Sequence, residues 1–77
     1  MMLDERDDTI LVMHFEKTPS IQEIADKIGR SVGATYDRLK SLEQQGLLNQ
    51  AAGGKHRSRS ITPAGRDYLE KNRLVGA

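Results

Sequence analysis

SIQEIADKIGRSVGATYDRLKSLEQQGLL, residues 20–48, is the stretch whose reading decides the fold of this chain. Ser20 with Glu23 three residues on is an S-x-x-E helix start, in which hydroxyl and carboxylate each satisfy a backbone N–H that the first turn leaves open. Ile21, Ile24, Ala25 and Ile28 then recur at helical spacing, and Gly29 supplies a left-handed stop. Ser31 caps a further helix that runs to about Gln45. In it Val32, Thr35, Leu39 and Leu42 form one inward stripe, with Tyr36 and Glu43 at its flanks. Gly46 stands where a helix end wants a glycine. The segment is two short amphipathic helices meeting at a glycine.

Working outward, Leu3 to Lys17 reads as a first helix. Ile10, Leu11, Met13, His14 and Phe15 cluster in its C-terminal half, and Asp4, Glu5, Asp7 and Asp8 suit the positive end of its dipole. Thr18-Pro19-Ser20 breaks the chain, leaving room for a minimal extra strand at most. On the other side, Leu47 to Ala52 suggests a short strand, Gly53-Gly54 a turn, and Arg57 to Thr62 a returning strand, although neither strand alternates cleanly. Thr62 caps a last helix at about 63–74, with Pro63 at the first position, where its missing N–H costs nothing. Ala64, Tyr68, Leu69 and Leu74 are that helix's candidates for the core. The predicted order is α-α-α-β-β-α: an α+β, mainly α, domain over residues 1–77. It has three helices, a two-stranded β-hairpin at about 47–62 and a short C-terminal helix.

Seventy-seven residues predict one small domain, near the lower size at which a chain folds on a hydrophobic core alone. There is no cysteine, which excludes disulfides and thiolate metal sites, and His14 and His56 have no second ligand at metal-binding spacing. ILVM at residues 10–13 is far too short to span a bilayer, and no signal peptide precedes it. These features predict a soluble cytoplasmic protein without metal, cofactor or membrane contact. The formal net charge of +1 hides an asymmetry. Residues 1–16 hold Asp4, Glu5, Asp7, Asp8 and Glu16 against Arg6, whereas residues 53–73 hold Lys55, Arg57, Arg59, Arg66, Lys71 and Arg73 against Asp67 and Glu70. An acidic start and a basic end suit a chain that turns one face to a polyanion; a merely solvated surface is the bland alternative.

With its stripe turned inward, the helix after Ser31 displays Ser31, Gly33, Ala34, Tyr36 and Asp37 on its outer N-terminal face. A helix that reads base edges needs small or polar residues there and a second helix behind it. Gly33 and Ala34 permit close approach, Ala34 suits a thymine methyl, Asp37 a cytosine amino group, and Ser31 a base or a phosphate. Arg30, Arg38 and Lys40 lie where a phosphate backbone would pass. Lys55, His56, Arg57 and Arg59 crowd around the Gly-Gly turn as a cationic finger suited to phosphates or a narrow minor groove. Alternation puts Arg57 and Arg59 on one face of the returning strand, and His56 reads as a phosphate neighbour.

PSIQEIADKIGRSVGATYDRLKSLEQQGLL resembles the winged-helix segment at the N-terminus of LexA-type repressors. The matching pieces are P-S-I-Q-E-I-A at 19–25, the glycine at 29, L-K-S-L-E at 39–43 and the Gly46-Leu47 step. R-S-R-S-I-T-P-A-G-R-D-Y-L, residues 57–69, is similar to the wing strand and following helix of MarR-like regulators. The first resemblance implies base reading at Ser31, Gly33, Ala34, Tyr36 and Asp37. The second implies minor-groove or phosphate contact by Arg57 and Arg59. Lys55-His56-Arg57 stands where MarR-like wings usually carry Asp-x-Arg. These 77 residues include neither the self-cleaving domain of LexA-type repressors nor the long dimerisation helices of MarR-like proteins.

The sequence therefore predicts a prokaryotic or viral transcription regulator that binds double-stranded DNA sequence-specifically. Repression by occlusion and a homodimer on DNA are the expected mode. The alternative is a winged helix used as a protein-binding module; the low net charge favours it. The cationic wing and the lack of apolar anchors on the outer face, Tyr36 excepted, oppose it. No paired carboxylates, Ser/His/Asp set or phosphate-cradling glycine loop suggests an enzyme or a small-molecule substrate.

Overall fold

The computed structural model describes residues 3–50 and 59–76. Four helices appear in chain order: α1 (Glu5–Glu16), α2 (Ile21–Ile28), α3 (Val32–Gln44) and α4 (Pro63–Lys71). Each begins at a side chain that accepts from an open backbone N–H. Ser20 accepts from Glu23 N–H, Ser31 from Ala34 N–H and Thr62 from Gly65 N–H, all as the sequence predicts. The start of α1 is one better than expected: Asp4 and Asp7 form a reciprocal capping box, so the helix begins at Glu5 and not at Leu3.

Three helix ends close alike. Gly29, Gly46 and Arg73 have φ of 68°, 78° and 57°, and the next N–H reaches back to Ala25, Leu42 and Leu69 carbonyls, respectively. This is the Schellman closure, which glycine enters without penalty and arginine does not. It stops α4 at Lys71, three residues short of the expected end, and leaves Leu74 38% exposed outside the core.

Ile10 and Leu11 of α1, Ile24 and Ile28 of α2, Leu39 and Leu42 of α3, and Leu69 of α4 form one buried cluster together with Leu48 of the segment after α3. Thr35 joins it with its hydroxyl satisfied by the Ser31 carbonyl at 2.8 Å. His14 is buried too; its Nδ1 lies 2.7 Å from the Ile10 carbonyl. Helix α4 packs on α1, where the Tyr68 hydroxyl donates to Asp8 at 2.6 Å, a bond that pushes the phenol pKa up to about 12. Ala64, expected in the core, is exposed. The buried member of that turn is Gly65, whose missing Cβ lets α4 lie against the Leu47 carbonyl and Ile61.

Among the described residues no strand forms. Antiparallel pairing there is one isolated bridge, Leu48 to Ile61, flanked by Asn49 N–H donating to the Ser60 carbonyl and Thr62 N–H to the Leu47 carbonyl. The expected turn at Gly53-Gly54, with most of the hairpin at 47–62, lies outside the described residues. No extra strand separates α1 from α2 in the described chain, and no helix there is long and apolar enough to cross a membrane.

Candidate nucleic-acid interface

Helices α2 and α3 pack together across Gly29, and α3 turns Thr35, Leu39 and Leu42 into the cluster. A helix that buries those positions must show solvent the opposite row, and it does. Gly33, Asp37, Lys40 and Gln44 are all exposed, as are Arg30 and Ser31 at its start. Ala34 and Tyr36 are half-buried at the edges of this row. Ser31 Oγ accepts from Ala34 N–H at 3.2 Å, so it keeps a hydroxyl proton to offer outward. Sequence reading missed Gln44. The signal was present, because Gly33, Asp37 and Lys40 already define a spacing that Gln44 continues.

Two of the expected backbone contacts, Arg59 and Arg38, carry ion pairs within the fold. Arg59 is 9% exposed, with its Nε bonded to Glu43 Oε2 of α3. It faces inward, since a desolvated guanidinium beside an equally desolvated carboxylate is better paired than free. Arg59 thus ties the segment leading into α4 to α3. Arg38 donates to both Asp4 oxygens at 2.8 Å and to Asp7 at 3.2 Å, across to the start of α1. Neither pairing was readable in the sequence, because helical periodicity shows which face a residue is on, but not which long side chain folds back to a carboxylate from another element. Lys55, His56 and Arg57 lie outside the described residues.

An open groove of 690 Å³ runs between the outer edge of α3 and the Leu48–Ile61 bridge, bordered by Tyr36, Lys40, Gln44, Asn49 and Gln50. Thr62 holds its far wall: the hydroxyl donates to the Gly46 carbonyl at 2.6 Å while accepting from Gly65 N–H at 3.0 Å. One side chain thereby fixes the end of α3 against the start of α4. Lys40, Arg30 and Asp37 carry no ion pair among the described residues. No three His, Cys, Asp or Glu come together there as a metal site.

A capped helix pair whose second member shows a small, polar outer face, followed by a bridge-closed segment and a bracing helix, is a winged helix-turn-helix arrangement. Residues 18–49 match the family model described as winged helix-turn-helix DNA-binding. No curated protein matches the chain. Among solved structures it is similar to the transcriptional regulator BldR from Sulfolobus solfataricus. The two share 28% identity at a TM-score of 0.78, over 95% of this chain and 55% of that one. It is also similar to Lactococcus lactis ZitR, a zinc-responsive MarR family member, with 21% identity and a TM-score of 0.75 over 96% and 54% of the two chains. The chain thus spans little more than half the length of these structures. Residues 18–49 thus resemble a winged helix-turn-helix DNA-binding segment, and the fold resembles that of these regulators.

Proposed function

We propose that this chain acts as a single sequence-specific domain on double-stranded DNA, with α3 in the major groove and the basic segment Lys55, His56 and Arg57 on the flanking backbone or minor groove. The observation that carries the reading is the exposed row Gly33, Asp37, Lys40 and Gln44 on a helix braced from behind by α2. Such a row offers close approach, a hydrogen-bond acceptor, a phosphate cation and an amide able to read adenine, and it lacks the apolar anchors that a protein interface demands. Gly33, Ala34, Ser31, Tyr36 and Asp37 serve the bases, Arg30 and Lys40 the phosphates.

One domain of this size covers roughly 600–1,000 Å² of DNA, too little for tight specific binding unaided. A homodimer on a two-fold-related site is the natural remedy. The regulator represses by occluding the promoter, in the cytoplasm of a prokaryote or of a host cell if it is viral. Selection from a random duplex library at near-physiological salt tests this. An enriched motif with inverted symmetry is the expected result. Retention without a motif would make the domain an architectural binder. No retention even at low salt would transfer the same face to a protein partner.

A further inference from the structure

The flank of α3 that faces α1 carries an arrangement that DNA reading by itself does not require. Arg38 lies three residues after buried Thr35 and four before buried Leu42, so its stem starts beside the core and its guanidinium ends at the first turn of α1. The carboxylates it meets are already fixed in place. Asp7 N–H donates to Asp4 Oδ1 at 2.9 Å, and Asp4 N–H returns a bond to Asp7 Oδ2 at 3.3 Å. Arg38 then adds its own bonds to Asp4 and Asp7. The Asp7 backbone N–H, and after it Arg38, hold the Asp4 carboxyl below its ordinary range, so Asp4 stays ionised at neutral pH.

One guanidinium thus faces two carboxylates, and the corner is net negative. A DNA phosphate approaching Arg38 would have to displace an anion already held by a capping box, with a second anion beside it. The opposite side of α3 differs. Lys40 is exposed without a carboxylate in ion-pair reach among the described residues, and Gln44 beside it is neutral.

We propose that Asp4 and Asp7 sequester Arg38, making the α1-facing flank of α3 an anionic boundary that confines the DNA backbone to the Lys40–Gln44 side. Arg38 is then a positioning residue and not a phosphate contact. Repelling backbone from one flank raises the cost of misdocked poses, which is how a repulsive element sharpens specificity. This inference rests on the DNA-binding reading above.

The test is a salt titration of affinity, between about 50 and 200 mM, for a selected duplex and a random one. The variants are the Asp4→Asn/Asp7→Asn double, Arg38→Met, and the triple. Asparagine caps a helix as well as aspartate, and methionine keeps the stem of Arg38 in place, with Arg38→Gln as substitute if Arg38→Met does not fold. Thermal unfolding checks that each is folded at the assay temperature. Arg38→Met alone should leave the slope of log K against log salt unchanged. The aspartate double variant should bind random duplex more tightly, with a slope steeper by about 0.9 for the phosphate that freed Arg38 now takes. Its specific-to-random ratio should fall, and adding Arg38→Met should abolish the gain. A slope shallower by about 0.9 in Arg38→Met alone would show that Arg38 already holds a phosphate, overturning the proposal. A gain that persists in the triple variant would reduce the effect to removal of two charges and overturn it too. Wild-type binding with no gain in the double variant overturns this inference alone; failure of both proteins to retain any duplex overturns the DNA-binding reading with it.

Discussion

Arg59→Ala separates bracing from DNA contact. The Arg59 and Glu43 side chains are 9% and 11% exposed, and the guanidinium Nε donates to the carboxylate. Removing one partner of a buried pair strands the other without compensation, at about 3–5 kcal/mol. Residual water access to both groups puts this pair at the lower end, about 3 kcal/mol. A 77-residue chain has a total stability on the order of 4–12 kcal/mol, so the loss is a quarter to three quarters of the whole. At about 4–8 °C per kcal/mol for a domain of this size, Tm should fall by roughly 12–24 °C. Glu43→Gln should behave similarly, while the Arg59→Met/Glu43→Leu double variant should recover most of the loss, because two apolar groups leave no charge behind. The assay is thermal unfolding by circular dichroism, paired with fluorescence anisotropy on a duplex at several salt concentrations. Wherever Arg59→Ala is still folded, the salt slope should match that of the wild type. A variant that keeps its Tm yet loses about 0.9 of slope would refute the reasoning, since Arg59 would then be holding a phosphate.

Two further outcomes follow from buried positions. Gly65→Ala should destabilise the fold by roughly 1–2 kcal/mol, because the gain in helix propensity is outweighed by overpacking. The new Cβ would lie 2.3 Å from the Leu47 carbonyl oxygen and 2.7 Å from Ile61 Cγ1, and a raised Tm would show that the approach is not tight. His14 has its pKa lowered, first by burial and then by repulsion from Arg59, against the pull of the Ile10 carbonyl. The fold therefore keeps it neutral, while the unfolded chain takes up its proton near the ordinary 6.5. Between the folded pKa and 6.5 the unfolded state binds more protons, so stability falls as pH drops below about 6.5. His14→Asn should flatten that part of the urea midpoint-against-pH curve relative to wild type; an unaltered curve would mean that His14 titrates freely in the fold.

The four helices were legible because their signals are local. Ser20 with Glu23, Ser31, Thr62 with Pro63, and the glycines at 29 and 46 each act within a turn, and periodicity then assigns the buried faces. The outer row of α3 followed from the same periodicity, short of Gln44. What stayed hidden was non-local. Nothing near Arg38 in the chain announces Asp4, thirty-four residues away, and nothing near Arg59 announces Glu43, sixteen away. The end of α4 was misplaced because a non-glycine residue, Arg73, adopts the left-handed closure. Gly65 read as an ordinary helix residue, because its role is set by Leu47 and Ile61, which the fold brings against it.

These pairings bear on how so weakly charged a chain can hold a polyanion. Binding strength depends on cations free to exchange their counterions for phosphates, not on net charge. Arg38 and Arg59 are committed to carboxylates, Lys17 to Glu23 and Lys71 to Asp67, while Arg6 donates to the Ile28 carbonyl and Arg66 lies over the Phe15 ring. Glu23, Glu43 and Asp67, each matched by one cation, are also anions made less available to repel DNA. On α3 and its leading turn the uncommitted cations among the described residues are Arg30 and Lys40, both exposed. With Lys55 and Arg57 added, one domain would neutralise about four phosphates, for a salt slope near −3.6, whereas a pair of domains on a two-fold site would double it. A footprint that small gives modest affinity, and this, more than any apolar patch, is the argument that two copies act together on DNA.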